Sequence, residues 1–321
     1  MRNRIVAAAA GIVAALIGAA GTAHAGKDLD AVRARGALNC GVGIGTAGFM
    51  LADSQGKWKG LSVDVCRAVA ATIFGDSEKV RYVPLTSQQR FTAVQSSEVD
   101  IVMGNATYTL TRDTALGLDF TGIYYYDGQG FLVPKKLGVK SARELSGATV
   151  CVAPGTTTEL NLADYFRANK MTFKPVVIEK VDEIRSAFFS GRCDVYTTDA
   201  SSLAATRAAN VPPPQTIDDY VILPEIISKE PLGPVVRHGD NQFADIVRWA
   251  LYAMVEAEEH GITSKNVDEM LKSDNPGIKR ILGDYGESFD RNVGMGSPLK
   301  IARGQNALWT QGGLQYSPPI R

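Results

Sequence analysis

The chain of 321 residues carries 34 basic and 34 acidic residues, and is 45% hydrophobic and 21% charged. That composition supplies packed cores and argues against disorder, and the lack of net charge gives no global electrostatic case for binding nucleic acid. The length suits two domains of ordinary size better than one.

The N-terminus reads as a secretory signal. Arg2 and Arg4 precede an apolar run from Ile5 to Gly21, and Ala23-His24-Ala25 is a small-x-small cleavage site. Cleavage after Ala25 would take the formal charge from 0 to −2, because residues 1–25 hold two arginines and no acid. The run is short and alanine-rich for a membrane span. The expected destination is an oxidising compartment outside the cytoplasm. In that oxidising compartment Cys40, Cys66, Cys151 and Cys193 suggest disulfides, with three pairings open. The chain has no Cys-x-x-Cys, which weakens zinc and redox readings. We favour Cys40–Cys66 and Cys151–Cys193, since each pair falls within one predicted α/β half.

In chain order, Asp28–Gly36 reads as a short helix closed by Gly36, and Ala37–Val42 as a first strand. Gly43, Gly45 and Gly48 then spell G-x-G-x-x-G, with Asp64 about twenty residues further on. That dinucleotide fingerprint requires a helix opening at its glycines, whereas the residues that follow read as a turn between short extended pieces. Leu61–Phe74 has helical spacing and stops at Gly75; Val80–Leu85 is a strand, Gln89–Ser96 a short helix, and a buried strand opens at Val99. This β-α-β-α-β order implies a doubly wound sheet. Where the last strand breaks at Gly104, a polar loop holds Asn105, Thr107, Thr109 and Arg112. Such loops are where open α/β sheets meet ligands, and the fork of Arg112 suits a carboxylate. Tyr124, Tyr125 and Tyr126 suit a core or a cleft wall.

A second unit repeats the order. Strand Thr149–Ala153 runs into Thr156, which with Glu159 fits a capping box, so a helix N-terminus suited to a carboxylate should stand here. Val176–Glu179 reads as a strand, Val181–Ser190 as a helix, and Cys193–Thr197 as a strand with Asp199 at its end. VDIVMGN and CDVYTTD echo one another, which would set Arg112 and Asp199 on facing halves. An arginine for a carboxylate and an aspartate for an ammonium group are the two needs of an α-amino acid zwitterion. Tyr220–Ile227 reads as extended, residues 228–239 as a return crossover, Asn241–His260 as an amphipathic helix, and 266–272 as a shorter one. The tail from Gly283 is Gly-rich and aperiodic, suited to wrapping the first half or to binding a partner.

The stretches GNATYTLTRDTALGLDFT, YYYDGQGFLV, SGATVCVAPGTTTELNLADYF, SGRCDVYTTD and LPEIISKEPLGPVVRHGD resemble the periplasmic polar amino-acid-binding proteins of ABC importers (solute-binding protein family 3), in particular the general L-amino-acid-binding branch. The resemblance implies an α/β, two-lobed periplasmic binding protein type II fold, with two doubly wound sheets joined by two crossover strands. One lobe would comprise residues 26–126 and 232–321, the other residues 127–231. It implies that Asn105 and Thr107 hold the α-amino or α-carboxylate group. Arg112 and backbone donors near Thr156 and Thr157 would clamp the carboxylate, and Asp199 would take the ammonium. Hinge closure would present an L-amino acid to an inner-membrane ABC permease, with the protein acting as a monomer and using no cofactor, metal or nucleic acid. Where family members often carry an aromatic side chain over the ligand, this chain has Thr46, with only Phe49 nearby. Two other functions fit the scaffold. An exported, dehydratase-like enzyme would need a general acid or base from Asp199 or Glu159, as His238 and His260 fall outside the site loops. The other is a ligand-binding partner of a chemoreceptor.

Overall fold

The structure, a computed structural model, describes residues 26–270, 272–275, 278, 306 and 315. The expected signal segment and most of the glycine-rich tail lie outside these. Helix α1 (Lys27–Arg35) stops at Gly36, whose φ of 72° a glycine adopts without Cβ strain. It leads into β1 (Leu38–Val42), the short hairpin β2 (Leu51–Ala52) and β3 (Trp58–Lys59), then α2 (Leu61–Phe74), β4 (Val80–Pro84), α3 (Gln89–Gln95) and β5 (Ile101–Met103). The G-x-G-x-x-G stretch opens no helix; it turns tightly through the Thr46–Met50 bridge into the hairpin.

Next come α4 (Leu110–Ala115), β6 (Leu118–Phe120), β7 (Tyr125–Asp127) and β8 (Gln129–Pro134), followed by β9 (Thr149–Val152), α5 (Thr157–Ala168), β10 (Lys174–Val177), α6 (Val181–Phe189), β11 (Val195–Asp199) and α7 (Ala200–Ala209). The chain returns through β12 (Tyr220–Ile222), β13 (Glu230–Leu232) and β14 (Val235–Arg237) to α8 (Asn241–Glu259) and α9 (Val267–Met270). The extended segment expected over Tyr220–Ile227 pairs as a strand only to Ile222, close to Pro224, which has no N–H to give a ladder.

Two five-stranded sheets result, ordered β4-β1-β5-β14-β6 and β10-β9-β11-β8-β12. In each, the first three strands are parallel and the inserted return strands antiparallel. The sequence echo is therefore structural: β5 and β11 occupy equivalent inner positions, each beside the first strand of its unit. Alternate residues serve opposite faces, as a pleated strand dictates. Phe131, Val150, Val152 and Val195 join Leu162 and Phe166 on one side of the second sheet, while Leu132, Cys151 and Tyr196 join Ile184, Phe188 and Leu203 on the other. On the first sheet, α2 and α8 bury Leu61, Val65, Val69, Phe243, Val247 and Leu251 in one core.

Disulfides join Cys40 to Cys66 and Cys151 to Cys193. The first staples β1 to α2, and the second ties β9 to the turn before β11. Between the sheets runs a two-stranded ribbon, β7 antiparallel to β13, with Asp127 opposite Glu230, Tyr126 opposite Pro231 and Tyr125 opposite Leu232. On its outer edge, the Asn306 side chain accepts from Tyr126 N (2.6 Å) and donates to Tyr126 O (2.9 Å). On the other edge, Pro231 O accepts from Tyr108 N at 2.7 Å.

Candidate ligand-binding cleft

Loops at the carboxyl ends of β1, β4 and β5 face loops at the carboxyl ends of β9, β10 and β11 across a cleft. Its walls include Gly43, Thr46, Arg90, Asn105 and Thr107 from the first sheet's side, and Thr156, Thr157, Glu179, Arg185 and Asp199 from the second's. Of the six ligand-binding candidates read from the sequence, the structure brings five together on these walls: Asn105, Thr107, Thr156, Thr157 and Asp199.

Arg112 is not among the residues that line this cleft; its Nη1 donates to the Thr107 carbonyl at 3.0 Å, and its charge acts on Glu230 and Asp199. The arginine on the wall is Arg90 of α3, whose Nη1 donates to the carbonyls of Gly104 (2.9 Å) and Asn105 (3.2 Å) while its Nε has no partner. Both guanidiniums lie 4.9 Å from the Phe91 ring centroid, so one aromatic face holds each cation in place. Burial, then the charge of Arg112, lowers the pKa of Arg90. A negative group placed here would be strongly favoured.

Asn105 follows β5 with φ of 51°, a left-handed conformation that asparagine tolerates. Its Oδ1 accepts from the Tyr124 hydroxyl at 2.8 Å, and its buried Nδ2 has no partner. Tyr124 and Tyr125 are core residues rather than cleft lining, and Phe49 is wholly buried with its ring edge-on to Tyr125. No aromatic side chain from the first loop covers the cleft.

On the opposite wall, Thr156 caps α5 by accepting from Glu159 N at 3.1 Å. The reciprocal arm of the expected capping box is shifted by one residue: the Glu159 carboxylate accepts from Gly155 N at 2.9 Å. The first N–H groups of α5 therefore point into the cleft region as an anion-attracting end. Asp199 closes β11 and is 8% exposed. It stands at the head of α7 without a side-chain hydrogen bond into that helix. Burial, then the charges of Asp127 and Glu230, pushes its pKa well above the ordinary carboxylate range, while Arg90 and Arg112 pull the other way.

The two sides already touch. Thr86 Oγ1 donates to Glu179 at 2.7 Å, Arg185 Nη2 donates to Gly45 O at 2.9 Å, and the hydroxyls of Thr107 and Thr157 are 3.2 Å apart. The sequence does not single out Arg90, Arg185 or Glu230. Arg90 carries a usable signal, since it opens the helix directly after the carboxyl end of β4. Glu230 carries a weaker one, as a lone acid in the apolar return segment. His238 and His260 pair with Asp119 and Glu256 away from the cleft. Among the described residues no cluster of His, Cys, Asp or Glu suits a metal ion.

Two α/β sheets facing across a polar cleft and linked by a two-stranded ribbon define a two-lobed binding protein of the periplasmic type II fold. The chain belongs to the bacterial extracellular solute-binding proteins, family 3, which it matches over residues 38–266. It is 51% identical to the general L-amino acid-binding periplasmic protein AapJ of Rhizobium johnstonii, with both chains covered completely. It is 52% identical to the glutamate/glutamine/aspartate/asparagine-binding protein BztA of Rhodobacter capsulatus, covering 96% of this chain and 97% of that one. Among solved structures, a periplasmic binding protein from Brucella ovis with glutathione bound superposes with a TM-score of 0.87 at 53% identity, covering 93% of this chain and all of the other.

Proposed function

We propose that this protein is the periplasmic solute-binding component of an ABC importer for L-amino acids, and that it binds the α-ammonium and α-carboxylate groups between its lobes. The observation that carries this reading is the Asp199 carboxylate, buried on the cleft wall, making no hydrogen bond into its own helix and lying within electrostatic reach of Arg90 and Arg112. An α-ammonium placed at Asp199 leaves its carboxylate to Arg90, the Asn105 amide and the amino end of α5. Arg112 acts on the carboxylate through the Thr107 loop, which it holds by the Thr107 carbonyl. The relatives bind amino acids according to their names, and glutathione presents the same α-amino and α-carboxylate pair on its glutamyl end.

Residues 1–25 are a cleaved signal, residues 26–126 with 232–321 form one lobe and 127–231 the other, and β7 and β13 act as the hinge. Closure of a ligand-loaded monomer gives the permease a surface that the open form lacks. The function proposed is binding without catalysis, which the relatives named as binding proteins support.

A thermal-shift panel of the twenty L-amino acids, glutathione and D-isomer controls tests the reading, because a ligand of the folded state raises stability by mass action. Several L-isomers should raise Tm, and the bound compound should be recovered chemically unchanged. A panel with no shift, or turnover of a bound amino acid, would overturn it. Comparison of Arg90→Ala with Arg112→Ala by calorimetry then separates a direct carboxylate contact from an indirect one, Arg90→Ala giving the larger loss.

A further inference from the structure

Glu230, the first residue of β13, is 1% exposed and pairs with no lysine or arginine among the described residues. Its charge is satisfied instead by four hydrogen bonds from three parts of the molecule. Oε2 accepts from Thr107 Oγ1 and from Thr157 Oγ1 (2.7 Å), and Oε1 accepts from Asn161 Nδ2 (2.8 Å) and Ser228 Oγ (2.6 Å). Thr107 belongs to the loop after β5, Thr157 and Asn161 to the start of α5, and Ser228 to the approach to the ribbon. Directly across the ribbon, Asp127 grips the head of α7, accepting from Ser201 Oγ and Ser201 N. The two crossover strands thus hold, at one register level, two of the second lobe's helices, α5 and α7, whose amino ends open onto the cleft.

A buried carboxylate without a counter-ion is an expensive way to hold a fold together. Its arrangement is specific to one state, since Thr107 and Thr157 reach the same oxygen only while their loops lie side by side. We infer that Glu230 is a positioning residue that sets the closure equilibrium of the cleft, joining the Thr107 loop to the amino end of α5 from beneath the ligand. The inference rests on the amino-acid-binding reading above. Apparent affinity scales with the fraction of molecules in the binding-competent state, so loosening this joint weakens every ligand by the same factor, whatever its side chain.

The test is Glu230→Gln, which keeps the shape and removes the charge, titrated by calorimetry with L-glutamine and L-leucine beside small-angle scattering of the ligand-free protein. The expected result is a loss of roughly tenfold in affinity, the scale of one hydrogen bond to a charged group, equal for both amino acids, with a larger ligand-free radius of gyration. Unequal losses would assign Glu230 to a side-chain pocket, and a lowered Tm with unchanged affinity and scattering would leave it merely structural; either overturns the inference. If Glu230→Gln does not fold, Asn161→Ala removes one of the same bonds from outside the cleft and should shift both affinities in the same direction by a smaller factor. If the wild type binds no amino acid, the proposed function fails instead, and the scattering comparison alone still decides whether Glu230 sets closure.

Discussion

Replacing Asp199 by asparagine separates binding from stability, because the two should move in opposite directions. The side chain gives α7 no capping hydrogen bond, so folding loses no contact when it is changed. Its charge is held at a cost by burial and by the nearby Asp127 and Glu230. A neutral amide of the same shape should therefore leave the ligand-free Tm unchanged or raise it. Binding loses a charge-assisted hydrogen bond to the ammonium group, about 1.5–3 kcal/mol, or roughly tenfold to a hundredfold in Kd. The raised pKa adds a second signature. A proton held by Asp199 in the ligand-free cleft must leave when an ammonium arrives. Binding should then release protons, and affinity should fall as pH is lowered through the range where Asp199 is protonated, above that of an ordinary aspartate. Calorimetry in two buffers of different ionisation enthalpy measures the release, and Asp199→Asn should abolish it. A Kd within twofold of wild type, or a Tm loss without ligand, would refute the assignment of Asp199.

Burial raises Asp127 to about 6, against the opposing hydrogen bonds from Ser201 and Gly128. A raised acid stabilises the fold below its unfolded pKa and loses that contribution as pH rises through its folded value. Wild type should thus shed stability as pH rises through about 6, and Asp127→Asn should flatten that slope in denaturant titrations. The disulfides close chain separations of 26 and 42 residues. Chain entropy puts each at about 3–4 kcal/mol, so Cys151→Ala with Cys193→Ala should lower the urea midpoint sharply, and an unchanged midpoint would show that the link constrains nothing. At the exit of the ribbon, a Cβ on Gly233 would lie 2.3 Å from the Gly122 carbonyl oxygen. Neither backbone can yield, so Gly233→Ala should destabilise by about 2 kcal/mol or more, read as a fall in Tm.

Much of the fold is legible in the sequence because its signals are local. Leu61–Phe74 forms a helix with the bounds its spacing and Gly75 predict. Asp199 reads as a strand-end acid because the CDVYTTD segment copies VDIVMGN. The choice between Arg90 and Arg112 is not local. It depends on how two short helices pack about Phe91, and the residue that attracts notice as part of a polar loop is the one that bonds the Thr107 carbonyl rather than lining the cleft. Glu230 is hidden for a similar reason. Its meaning comes from Thr107 and Thr157, residues 123 and 73 positions away, which only the return of the chain through the ribbon brings together. In place of a full capping box, the Glu159 carboxylate takes the N–H of Gly155, one residue before Thr156.

The ribbon between the sheets has a further consequence. A two-stranded ribbon would ordinarily leave two unpaired edges, each a template for a strand of another chain. Here Asn306 satisfies the outward N–H and C=O of Tyr126 with a side-chain amide, and Tyr108 takes the outward carbonyl of Pro231, which has no N–H to offer. The ribbon is thereby closed to strand addition at both margins. It is protected in this way against swapping or stacking with a strand of another copy, while Tyr125 and Leu232 anchor it in the first sheet's core.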